Sequence, residues 1–96
     1  MSRGEMLSVF CYDVGEDKRR NRIAKLLEKE AARVQYSVFE TRMSEARCLS
    51  LSQRIAAELG DGDSLRVYVV SASGESRTRV YGDGPQPQNS SQFWLA

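Results

Sequence analysis

The sequence predicts one small α/β domain of the α+β kind, a split β-α-β sandwich with two helices over one face of a sheet. Three observations carry that expectation. The chain has 96 residues, which is room for one domain. Short runs rich in Val, Phe and Tyr alternate with two longer stretches whose apolar residues recur at helical spacing. The elements come in the order strand, helix, strand, helix, strand, strand; with the second strand counted as a bent pair, this is the ferredoxin-like order.

Leu7-Ser8-Val9-Phe10-Cys11-Tyr12 is a mostly apolar run and reads as a buried central strand, ended by Asp13-Val14-Gly15. A helix follows from about Asp17 to Ala32, with Ile23, Leu26, Leu27 and Ala31 on one side. Val34 to Glu40 reads as the second strand, and Thr41 to Met43 either extends it past a bulge or forms a short strand of its own. Ser44 is placed to cap a second helix whose apolar stripe is Cys48, Leu51, Ile55 and Leu59, with Gly60 as its stop. Asp61-Gly62-Asp63 is a turn, Ser64 to Val70 a third strand, Ala72 to Ser76 a small polar turn, and Arg77 to Tyr81 a fourth strand. Gly82 to Pro87 breaks the pattern, Gln88 to Gln92 is a polar linker, and Phe93-Trp94-Leu95 is an apolar tip. The domain is thus expected at 1–82, with a linker and docking tail at 83–96.

Composition narrows the chemistry. A chain that is 41% hydrophobic and 28% charged is globular rather than disordered. No apolar run approaches the roughly 20 residues that cross a membrane, and Met1 to Met6 is followed by no cleavable signal core, so a cytoplasmic protein is expected. Cys11 and Cys48 read as buried reduced thiols; two distant cysteines do not make a zinc site. The absence of histidine excludes a Ser-His-Asp or Cys-His nucleophile and a histidine acid–base pair. Any hydrolysis must rest on carboxylates, a hard cation, Tyr, Ser or Arg. A core this thin, with one sheet face uncovered by helices, favours a homodimer.

Net charge is only +1, but its distribution is uneven: Lys18 to Arg33 holds seven basic residues against two acidic ones, and eleven of the fourteen basic residues in the chain are Arg. At about 100° per residue, Lys18, Arg22, Lys25, Lys29 and Arg33 fall within an arc of about 80° on the expected helix. Such a stripe is either a solvated face or a seat for a polyanion, and five like charges favour the polyanion. Arg19 and Arg20 occupy the first turn, where the helix dipole disfavours cations; they either point outward or hold a phosphate together with the helix N-terminus. Asp13 ends the first strand. A turn or cap aspartate is the ordinary reading of such a residue, and the cationic surroundings make a phosphate-handling carboxylate the alternative.

Tyr12-Asp13-Val14, the cluster Lys18-Arg19-Arg20-Asn21-Arg22 and the run Arg33-Val34-Gln35-Tyr36-Ser37-Val38-Phe39-Glu40 resemble the CRISPR-associated protein 2 family, as does Ser64-Leu65-Arg66-Val67-Tyr68. The likeness extends from about Leu7 to Gly82. It implies a ferredoxin-like homodimer in which Asp13 of each copy faces its twin. It implies an Mg²⁺-dependent phosphodiesterase acting on RNA or DNA, with one ion shared by the two Asp13 residues, and Tyr12, Ser37 and Phe39 beside Asp13 in the catalytic set. The family's basic positions map to Arg20, Arg22 and Arg33. The likeness further implies a subunit of CRISPR spacer acquisition that binds duplex DNA and bridges the integrase. Two alternatives stand beside this: a purely non-catalytic DNA-binding scaffold, and a toxin-type ribonuclease of similar fold outside any CRISPR locus. The C-terminal strand or tip is expected to add to a partner's sheet or to the integrase.

Overall fold

The structure, a computed structural model, describes residues 4–85. Strands β1 (Glu5–Asp13), β2 (Ala32–Gln35), β3 (Val38–Ser44) and β4 (Ser64–Val70) form one sheet in the order β2-β3-β1-β4. Each neighbouring pair is antiparallel. Helix α1 (Asp17–Glu28) joins β1 to β2, and α2 (Glu45–Ala56) joins β3 to β4. Each strand–helix–strand unit therefore straddles a strand of the other, which is the expected ferredoxin-like arrangement.

β1 is central because both of its faces are apolar and alternate residues point to opposite sides. Phe10 and Tyr12 join the core under the helices, where Phe10 lies between Phe39 and Val67 across the two ladders. α1 contributes Ile23, Ala24 and Leu27 to that core, and α2 contributes Cys48, Leu51 and Ile55. All but Ala24 are residues expected from the helical spacing, with Leu26, Ala31 and Leu59 packed at the margin. Ser44 caps α2 as expected, its hydroxyl accepting from the Arg47 N–H at 3.2 Å. Cys11 and Cys48 are free thiols, the first half-buried and the second buried.

Val34 to Glu40 is not one strand: a turn at Tyr36-Ser37 divides it between β2 and β3, and Thr41 to Met43 runs on within β3 without a break. Three more expectations need correction. α1 stops at Glu28 and not Ala32, because the Glu30 and Ala31 N–H groups both turn back to the Leu27 carbonyl. The residues after it are drawn into pairing with β3, Ala32 opposite Glu40 and Arg33 opposite Phe39. Arg33 therefore lies on a strand and not at the end of a helical stripe. Second, Ala72–Ser76 is a short helix, α3, capped by the Ser71 hydroxyl, where a turn was expected. Third, Arg77 to Tyr81 forms no strand in the described chain; strand geometry needs a ladder, and α3 turns the chain onto the outer sheet face instead of alongside β4.

The outer face is accordingly not bare. α3 packs on β1 and β4, Leu7 is 2% exposed beneath it, and Glu75 of α3 makes a buried ion pair with Arg42 of β3. Beyond α3, Thr78 to Tyr81 lie across a hollow of about 400 Å³ from Val34, Val38 and Glu40, and Tyr68 on β4 is half exposed. Among the described residues no helix is long and apolar enough to cross a membrane. The expected docking tip, Phe93 to Leu95, lies outside the described residues.

Candidate nucleic-acid site

The hairpin and the central strand bring the family-like segments to one end of the sheet. Asp13 closes β1 opposite Ser64, the first residue of β4. One residue earlier, the Tyr12 N–H donates to the Ser37 carbonyl at 3.1 Å, which ties the β2–β3 turn to β1. Tyr12 stacks on Phe39 with ring centroids 6.3 Å apart and planes 23° apart. The Arg33 guanidinium lies over the Phe39 ring at 4.9 Å and over the Tyr36 ring at 5.8 Å. Tyr12, Arg33, Ser37 and Phe39 thus meet at the end of β1 although they come from three separate elements and a turn, and Asp13 is the next residue along that strand.

Their roles differ by exposure. Asp13 is exposed, and among the described residues no hydrogen bond or ion pair occupies its carboxylate. Phe39 is completely buried. It reaches a ligand only through Arg33, for which it is a polarizable floor. Tyr12 is likewise buried. Burial pushes its phenol above the ordinary value, Tyr36 and Glu28 add to the rise, and Arg33 and Arg20 oppose it. The phenol therefore keeps its proton at neutral pH and offers a donor, not a base. Ser37 contributes a half-buried side chain and its carbonyl.

The basic residues divide into held and open ones. Arg20 donates to the Val14 carbonyl at 2.8 Å and pairs with Asp17, which fixes it beside the strand end; its Nε is buried and has no partner among the described residues. Arg19 is bound at 2.8 Å by Asp63 and at 3.2 Å by Glu16. Arg22 is held at 2.8 Å by Glu58 of the segment after α2, and Arg33 lies 3.5 Å from Glu28. Lys18, Lys25 and Lys29 are exposed, and among the described residues none has an ion pair. Arg22, Lys25, Leu26, Lys29 and Glu58 line a shallow hollow of about 200 Å³ along α1. The expected five-residue stripe is thus an open lysine row with a tethered arginine beside it, while Arg33 has joined the strand-end cluster.

The sequence reading missed Asp63 and Glu58. By sequence Asp63 is one residue of a turn, yet its carboxylate accepts from Gly15 N–H at 3.1 Å, Gly60 N–H at 2.7 Å and Arg19 Nε at 2.8 Å. Two of these contacts span more than forty residues, so no local pattern announces them.

Whether the chain can hold a divalent ion follows from the donor set. Among the described residues no group of three or more His, Cys, Asp or Glu side chains gathers at one place. Asp13 is the free carboxylate at the strand end, and Mg²⁺ takes one or two carboxylates while keeping several waters. One copy offers one such ligand, so Asp13 suits a water-rich ion or an ion completed by a second copy.

The chain matches the family described as CRISPR associated protein Cas2 over residues 6–78. It is 37% identical over 92 residues to a CRISPR-associated endoribonuclease Cas2 of Chloroflexus aurantiacus, covering 94% of this chain and 99% of that relative. Its fold superposes on Streptococcus pyogenes Cas2 with a TM-score of 0.67 at 29% identity, covering 80% of this chain and all of the other. A chain of a partial Cas6-RT-Cas1–Cas2 complex superposes with the same TM-score at 28% identity, covering 78% and 83%. The match spans all four strands and both long helices, including the Tyr12-Asp13 strand end and the hairpin that folds onto it. With the sequence match and the superpositions in agreement, the chain belongs to the Cas2 family of CRISPR-associated proteins.

Proposed function

We propose that this chain works as a homodimeric subunit of CRISPR spacer acquisition that binds duplex DNA along the open face of α1, docks an integrase, and cleaves phosphodiester bonds with Asp13. The observation that carries the reading is the Asp13 carboxylate: exposed, without a hydrogen bond or ion pair among the described residues, and at the rigid end of a central strand. Relatives named as endoribonucleases support hydrolysis, and the likeness to a chain of a Cas1–Cas2 complex supports an integrase partner.

A second copy related by two-fold symmetry would bring a second Asp13 without any further acidic residue in the sequence. When bound there, Mg²⁺ would lower the pKa of a coordinated water and offset charge on the phosphate. The chain's own contribution is distinct. Asp13 holds the ion, Arg33 on its aromatic floor and Arg20 at the Val14 carbonyl offset phosphate charge, and protonated Tyr12 with Phe39 keeps water from the underside of the cluster. Lys18, Lys25, Lys29 and the tethered Arg22 neutralise backbone phosphates further along the nucleic acid.

The scaffold reading, binding without cleavage, is favoured by one observation: a single copy gathers no cluster of metal-binding side chains among the described residues. Asp13→Asn separates the two. Asparagine keeps the size and removes the charge, so cleavage of labelled RNA or DNA in Mg²⁺ is expected to disappear while binding stays or strengthens. Cleavage that persists in the variant excludes Asp13 as the essential ligand. A wild type that cleaves neither substrate in any divalent metal leaves the scaffold reading.

A further inference from the structure

We infer that Asp63 is a positioning residue for the catalytic end of β1, a latch that holds both the loop after Asp13 and the first turn of α1. The inference rests on the reading of Asp13 given above and extends it to a residue outside the family-like motifs. Its Oδ1 accepts from the Gly15 N–H at 3.1 Å, two residues beyond Asp13. Its Oδ2 accepts from Arg19 Nε at 2.8 Å and from the Gly60 N–H at 2.7 Å. The side chain is 2% exposed, so these donors take the place of its water. Ser64, the next residue, pairs with Asp13 itself. One carboxylate thereby joins the β1–α1 loop, the α1 N-terminus and the α2–β4 turn at the point where Asp13 leaves the sheet.

The surroundings are shaped for this contact. A Cβ on Gly60 would stand 2.7 Å from the Arg19 guanidinium carbon, so a side chain there would push Arg19 from its place on Asp63. Gly62 has φ +81° and bends the turn so that Asp63 faces inward. Arg19 also reaches Glu16, so the whole loop from Gly15 to Arg19 is tied. Losing the latch frees the segment that follows Asp13, and a displacement of about 1 Å in a catalytic group lowers turnover by up to roughly 100-fold.

The test compares Asp63→Asn with Asp63→Ala and with a control, Glu30→Gln, which breaks the ion pairs of Arg47 and Arg54 away from Asp13. All are assayed below their melting transitions, with folding checked by circular dichroism. The latch predicts that kcat for oligonucleotide cleavage in Mg²⁺ falls 10-fold or more in both Asp63 variants while KM changes less than about twofold, because Lys25 and Lys29 are untouched. It also predicts that the Gly15 amide loses hydrogen-exchange protection selectively. Glu30→Gln should lower stability alone. A folded Asp63→Asn protein with unchanged kcat and unchanged Gly15 exchange overturns the inference, and so does a KM effect without a kcat effect. If the wild type does not cleave, the proposed activity fails separately. The latch then stands or falls on Gly15 exchange alone.

Discussion

Removing Lys25 and Lys29 together is the most discriminating perturbation of the binding surface. The structure selects them: both are exposed and without ion pairs among the described residues, whereas Arg22 is held by Glu58 and Arg33 has turned onto the hairpin. Each phosphate contact released should lower the log–log salt slope by about 0.9, so Lys25→Ala with Lys29→Ala should lower it by about 1.8 for each copy engaged. Between about 50 and 200 mM salt, log[salt] changes by about 0.6, and the advantage of wild type over the variant should shrink about 12-fold. The assay is fluorescence anisotropy of a labelled duplex across that salt range, with Arg47→Ala/Arg54→Ala as the charge-matched control. Those two arginines are paired with Glu30, and their removal should leave the slope nearly unchanged. Equal slopes for wild type and the lysine variant would show the row to be only a solvated face. Equal losses in both double variants would show a response to net charge rather than to this surface.

Other consequences are as direct. Arg42→Met leaves Glu75, 8% exposed and already with one oxygen unpartnered among the described residues, without its cation. The loss should be about 2–3 kcal/mol in urea unfolding, below the full penalty for an orphaned buried charge because α3 can undock and re-expose Leu7. Adding Glu75→Leu should restore most of it, and an Arg42→Met protein within about 0.5 kcal/mol of wild type would refute the account. The three donors on Asp63 hold its pKa at about 2, led by the Gly60 amide and then Arg19 and Gly15. A carboxyl depressed on folding stabilises above its unfolded value and loses that contribution as pH falls through the folded one. Wild type should therefore lose stability from about pH 4 downward more steeply than Asp63→Asn, and parallel acid unfolding curves would contradict the assignment.

Much of the architecture is legible in the residues themselves, because it rests on periodicity and local chemistry. The alternation at Leu7–Tyr12, the stripe of Cys48, Leu51 and Ile55, and Ser44 as a cap are short-range signals, and each element sits where those signals put it. The motif residues Tyr12, Asp13, Arg33, Ser37 and Phe39 could be named from the resemblance alone. Their assembly could not, since it depends on the β2–β3 turn folding back to the end of β1.

What only the tertiary structure decides is which charges are available and where marginal segments go. Arg33 belongs to a helical stripe by spacing, yet the ladder to Phe39 claims it for a strand, because sheet pairing outweighs the helical preference of Ala31, Ala32 and Arg33. Arg77 to Tyr81 has strand composition, but composition supplies no partner, and the Arg42–Glu75 contact holds α3, just before it, on the outer face. Arg19, Arg20 and Arg22 look alike in the sequence. Asp63, Val14 and Glu58 make them different, through contacts with sequence separations from 6 to 44 residues. A sequence states what each side chain can bond; the fold decides what lies within reach, since a hydrogen bond or ion pair works over about 3 Å, whatever the distance along the chain.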